Sequence, residues 1–123
     1  EQVPPRLWVS SYLPYDDVLD RFTAVIHHGG AGILYSTLRA GRPALVFPQD
    51  YDQPDFAARL VARGAGLLIR DLDSAATATA LRRVIEDPTE SVLSGLARLQ
   101  KAVLASDPYA AMADAVARVT TSG

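Results

Sequence analysis

The chain reads as an α/β domain built on a parallel sheet, and three observations carry that reading. Short apolar runs alternate with segments of helical spacing through residues 7–69. Those runs lack polar alternation, as strands do when both faces of a parallel sheet are covered. Glycines punctuate the junctions, at Gly29-Gly30-Ala31-Gly32, Gly41 and Gly64. The order β, α, β, α, β, α, β, then helices, implies right-handed crossovers and a sheet with helices packed on it.

Leu7-Trp8-Val9 is the first apolar run and predicts a buried strand, with Trp8 in the core. Asp16 can cap a short helix that turns Val18, Leu19 and Phe22 inward. Residues 24–27 predict the second strand. The glycine turn then opens a helix that runs to about Ala40 and ends at Gly41, a suitable residue just past a helix end. Residues 44–47 predict the third strand, stopped by Pro48. Pro54 suits the first turn of the next helix, with Phe56, Leu60 and Val61 inward and Gly64 as its stop. Residues 66–69 predict the fourth strand. Beyond Asp73 only helices follow: one from an N-cap at Ser74, one from Asp87-Pro88 with Val92, Leu93, Leu96, Leu99 and Val103 at helical spacing, and one from Asp107-Pro108 with Met112, Val116 and Val119 on one face.

Composition narrows the function. With 123 residues the chain is one domain, 1–123. At 49% apolar and 21% charged residues it has ordinary globular composition. A net charge of −2 and no basic stripe argue against a nucleic-acid partner. Without cysteine, neither a disulfide scaffold nor a thiolate metal site is available. No apolar run reaches the roughly 18 residues of a membrane span. The opening residues are not a signal peptide, which makes the cytoplasm the default location. The abrupt Pro-rich start without Met points to a piece of a longer chain. The Ala/Arg-rich, Lys-poor composition suits a bacterial source.

The segment His27-His28-Gly29-Gly30-Ala31-Gly32 carries the most chemistry. Adjacent residues on a strand point to opposite faces, so the two histidines do not converge on one ion. No further His and no Cys can complete a site, so no metal is expected. Glycines between a strand and a helix instead let backbone approach a ligand, and the free N–H groups and dipole of a helix start favour an anion. His28 at the strand end can donate to a phosphate oxygen. The competing reading is a tight turn that binds nothing, and on spacing alone the two stand level. The segment is neither GxGxxG nor a Walker A loop, which argues against an ordinary dehydrogenase or P-loop ATPase. Three polar or glycine-rich segments, at Tyr12-Leu13-Pro14, residues 27–32 and residues 49–53, fall at strand carboxyl ends, where ligands bind in such sheets.

The same residues, followed by Gly41-Arg42-Pro43, Pro48 and Asp52-Gln53, resemble the C-terminal, donor-binding domain of GT-B fold glycosyltransferases. The similar group includes bacterial antibiotic and sterol glycosyltransferases and plant secondary-metabolite enzymes. The likeness covers about residues 6–70. It implies a Rossmann-like parallel sheet with flanking helices and C-terminal helices, and a nucleotide-diphosphate sugar, dTDP- or UDP-linked, as substrate. It also implies inverting transfer to a small-molecule, natural-product hydroxyl, with no cofactor and no metal. By position, His28 and the backbone of Gly29, Gly30, Ala31, Gly32 and Ile33 would hold the diphosphate. Tyr12 would stack on the base, the backbone of Leu13 would bond its edge, and Asp52 and Gln53 would meet sugar hydroxyls. Tyr12 is also compatible with covering the sheet edge, and Asp52 with capping the following helix; His27 reads as packed in the strand.

Two positions depart from the pattern. Ile33 replaces a Thr or Ser, and Ser36 replaces a Glu that in plant members grips ribose, which tilts the reading towards dTDP. The resemblance also implies that the sheet lacks two strands between residues 7–9 and 24–27, and that an N-terminal acceptor domain supplies the general base. Alone the chain is then expected to be inactive, and its open strand edge favours self-association. A subunit of a split enzyme and a non-catalytic nucleotide-sugar-binding module are the alternatives.

Overall fold

The computed structural model describes residues 6–71 and 73–121. A short helix α1 (Tyr15–Val18) continues as a 3-10 turn (Leu19–Arg21) and leads into β1 (Val25–His27). Then follow α2 (Ala31–Arg39), β2 (Ala44–Val46), α3 (Gln53–Ala62), β3 (Gly66–Leu68), α4 (Ser74–Ile85), α5 (Glu90–Ala105) and α6 (Pro108–Thr121). The three strands form one parallel sheet in the order β1-β2-β3, with Ile26 beside Leu45 and Leu45 beside Leu67.

β2 is the middle strand, and all three of its residues are buried. Side chains alternate across a strand, so its two faces feed two cores. Ala44 and Val46 join Leu34 and Leu38 of α2, Ala57 and Leu60 of α3 and Leu96 of α5. Leu45 points the other way and meets Ile69 and Val84 of α4, with Phe47 and Leu81 against them. Helices therefore cover both faces, which is why the strands carry no polar alternation.

Several sequence expectations are corrected. Residues 7–9 form no strand, and the sheet has three strands among the described residues rather than four. Trp8 is not core: it is 96% exposed. A run of three apolar residues becomes a strand only beside a neighbour that completes its ladder, and no described strand lies there. The cap of α4 is Asp73, whose carboxylate accepts from the Ala76 N–H at 3.0 Å. α5 starts at Glu90, where the Thr89 hydroxyl accepts from the Val92 N–H. Leu93 and Val61 are exposed. The apolar face of α6 exists at its expected spacing but faces outward, and no residue of α6 is buried. The Pro-rich opening, residues 1–5, lies outside the described residues.

Candidate functional site

The glycine turn sits at the carboxyl end of β1, next to that of β2. His27 ends β1 and is buried, while His28 is exposed, as the alternation of a strand requires. The His27 Nδ1 accepts the Gly29 N–H at 3.0 Å. This fixes the neutral tautomer with the proton on Nε2, which has no partner among the described residues. Burial, with the neighbouring His28 charge as the lesser cause, lowers the His27 pKa to about 4.

Gly29 adopts φ +92°, a region other residues rarely enter, and its α-carbon is wedged into the site. A Cβ there would lie 3.1 Å from Val46 Cγ1 and 3.3 Å from the Gln53 carbonyl oxygen. The turn is thereby pressed against the start of α3, where Asp52 ends the β2–α3 loop and Gln53 begins the helix. At Gly30 the constraint comes from His28, whose Nε2 would lie 2.7 Å from an added Cβ. The imidazole of His28 thus rests over the residue that caps α2. Around Gly32 the space is open, with nothing within 4 Å of an added Cβ.

The start of α2 is electrostatically unfilled. Its N-cap, Gly30, has no side chain to accept the first-turn amides, and no acidic residue lies in that turn. The first N–H groups of a helix lack intrahelical partners, so Ala31, Gly32 and Ile33 present donors to an incoming anion.

Beside this helix start lies an open cleft of about 720 Å³. Tyr12, Leu13, Asp16, Gly32, Ile33 and Ser36 are among the residues lining it. Four residues singled out from the sequence, Tyr12, Leu13, Gly32 and Ile33, are thus brought to one cavity by α2 and the segment before α1. Tyr12 is 76% exposed, and the Ser10 hydroxyl donates to its carbonyl at 2.6 Å. Asp52 and Gln53 are not among the residues lining this cleft; they stand where the β2–α3 loop enters α3.

That loop is internally stapled. The Gln53 Oε1 accepts the N–H groups of Gln49 at 2.9 Å and Asp50 at 3.0 Å. Its carbonyl oxygen is committed to the loop, and its amide NH₂ is left as a donor. Tyr51 is held at φ 54°, a conformation a bulky residue adopts only when the surroundings impose it. The Asp50 carboxylate accepts the Tyr51 N–H at 2.8 Å. Asp52 occupies the N-cap position of α3, yet its carboxylate makes no cap hydrogen bond. It is exposed and stands ready for another donor.

In the sequence Ser36 stands out for a missing carboxylate and Asp16 as a helix cap, but Asp16 lies inside α1, whose N-cap is Pro14. The structure pairs them: the Ser36 hydroxyl donates to Asp16 Oδ1 at 2.8 Å. A separation of twenty residues gives no local signal for this contact. No cluster of three or more His, Cys, Asp or Glu able to hold a metal occurs among the described residues. No described helix is long and apolar enough to cross a membrane.

Known proteins resemble this chain in sequence and in fold. The sterol 3-beta-glucosyltransferase of Candida albicans is 34% identical over 86 residues, covering 70% of this chain and 6% of that protein. The tylactone mycaminosyltransferase of Streptomyces fradiae is 31% identical over 121 residues, covering 97% of this chain and 26% of that enzyme. The chain therefore spans at most about a quarter of the length of these relatives. The solved structure of the glycosyltransferase VinC in complex with dTDP superposes with a TM-score of 0.87 at 28% identity, covering 99% of this chain and 31% of VinC. Residues 1–118 match the family described as erythromycin biosynthesis protein CIII-like, C-terminal domain, and the chain belongs to that family of GT-B glycosyltransferase domains.

Proposed function

We propose that this chain is the donor-binding half of an inverting glycosyltransferase, which passes a sugar from a dTDP- or UDP-sugar to a hydroxyl of a small natural product. The observation that carries this is the uncapped start of α2, with His28 seated over it and an open cleft beside it. The diphosphate would lie on the amides of residues 31–33, the base against Tyr12 and Leu13, and the sugar towards Asp52 and Gln53. The dTDP held by VinC, and the natural-product substrate in the name of the tylactone enzyme, support the same reading.

When the acceptor hydroxyl attacks the anomeric carbon, negative charge develops on the departing diphosphate. Donors fixed in advance stabilise that charge without reorganising, and His28 and the α2 amides are such donors. No metal is required for this. The base that takes the acceptor's proton belongs, in this proposal, to a further domain with which the chain pairs.

Calorimetric titration with dTDP, UDP and ADP tests the proposal. dTDP or UDP should bind, and His28→Ala should weaken it by about ten- to a hundredfold, the loss of one charge-assisted hydrogen bond. In the same titration, Asp52→Ala should weaken a dTDP-hexose while leaving dTDP unchanged. Unaltered nucleotide affinity in His28→Ala would remove the histidine from the site.

A further inference from the structure

The cleft beside α2 contains an ordered carboxylate to which no role has been given. Asp16, from α1, and Ser36, from α2, form part of its wall. The Ser36 hydroxyl donates to Asp16 Oδ1 at 2.8 Å, and Arg39 Nη1 lies 3.8 Å from Oδ2, beyond hydrogen-bond range. An ionised carboxylate has about four acceptor positions, and Ser36 takes one. The Asp16 side chain remains 61% exposed, so its other lone pairs are open to a ligand. Ser36, having donated its proton, also presents only acceptor capacity. Asp17 lines the same cleft, but no hydrogen bond holds its carboxylate among the described residues. It would lose more side-chain freedom on binding.

With the base against Tyr12 and the diphosphate at Gly32 and Ile33, the pentose falls between them in this cleft. A pentose hydroxyl is a donor in search of an acceptor. We infer that Asp16, held in place by Ser36, reads the 3′-hydroxyl of the bound nucleotide by accepting its hydrogen bond. The inference rests on the donor-binding reading above. It gives this protein, from α1, the carboxylate that position 36 on α2 lacks.

The test compares dTDP, whose pentose has the 3′-hydroxyl alone, with 2′,3′-dideoxythymidine diphosphate, which has none. Because the carboxylate is exposed, the expected preference is modest: wild type binds dTDP about five- to tenfold more tightly. Asp16→Ala should lower dTDP affinity to that of the dideoxy compound and leave the latter unchanged, the signature of a pairwise coupling. Ser36→Ala keeps the carboxylate but frees it, and should narrow the preference without abolishing it. Equal weakening of both nucleotides by Asp16→Ala, or equal binding of both by wild type, would overturn the assignment while leaving the donor site standing. If wild type bound neither, the donor-site reading itself would fall, and Asp16's role with it.

Discussion

His27 shows how one side chain links folding to the candidate site. Its ring is buried and accepts from the Gly29 N–H, so protonation would set a donor against a donor. The unfolded imidazole titrates near 6.5, whereas the folded one is lowered to about 4. Between these values the unfolded chain binds a proton that the folded chain refuses, so stability rises with pH across that window. It is fully present above about pH 6.5 and falls as the pH drops towards 4, by on the order of 3 kcal/mol. Urea unfolding at pH 7.5 and 4.5 checks this. Wild type should lose about 2 kcal/mol more than His27→Asn, which keeps an acceptor for Gly29 but does not titrate. Equal losses would place the acid sensitivity in the carboxylates. His28, one residue on, faces solvent, and the division of labour follows from strand alternation.

Among the elements, α5 depends on close backbone approach. Gly95 is buried on its inner face, and a Cβ there would run into the carbonyl oxygen of Arg63 and the backbone of Gly64. Gly64 has φ +71°, and a Cβ there would lie 2.7 Å from the Ser91 carbonyl oxygen. Two glycines thus let α5 settle on the turn between α3 and β3, and Leu96 then fills the core beside Leu60. The obstructing atoms are backbone and cannot rotate aside. Gly95→Ala should therefore destabilise by about 2 kcal/mol, despite the gain in helix propensity, as overpacking does. A lowered denaturation midpoint at unchanged slope would register it. The neighbouring solvent-facing Ala97→Gly should cost only the propensity difference, about 1 kcal/mol.

At the scale of the whole molecule, the sheet is small for the helices it carries. Three strands of three residues each leave β1 as an edge, and no described strand covers its outer side. Ile26 on that strand is 48% exposed, and Phe22 just before it is 45% exposed. An unpaired apolar edge is a template for another strand. The chain should associate with rising concentration in sedimentation experiments. Ile26→Lys, a charge placed on the edge strand, should shift it towards monomer with little loss of stability. Monomeric behaviour of wild type at all concentrations would show the edge to be protected in solution.

Alternation of apolar runs with helical spacing determined the α/β class and the parallel sheet, because short continuous apolar runs and the 3.6-residue helical period are both written locally. The glycine turn was equally legible, since only small residues suit its φ and its close contacts. What the sequence left open concerns partners far along the chain. Residues 7–9 have strand-like composition but lack a neighbour, and a ladder is a property of two segments. Met112, Val116 and Val119 have a buried helix's spacing yet face outward, because no described core lies beside α6. Asp16 and Ser36 meet only because α1 folds against the start of α2. Gln53 turned out to staple its own loop, a choice of hydrogen-bond partner that composition cannot express. Local pattern marked the three strands and the helices between them; which side chains share a cleft was decided by the packing of helices on the two faces of β2.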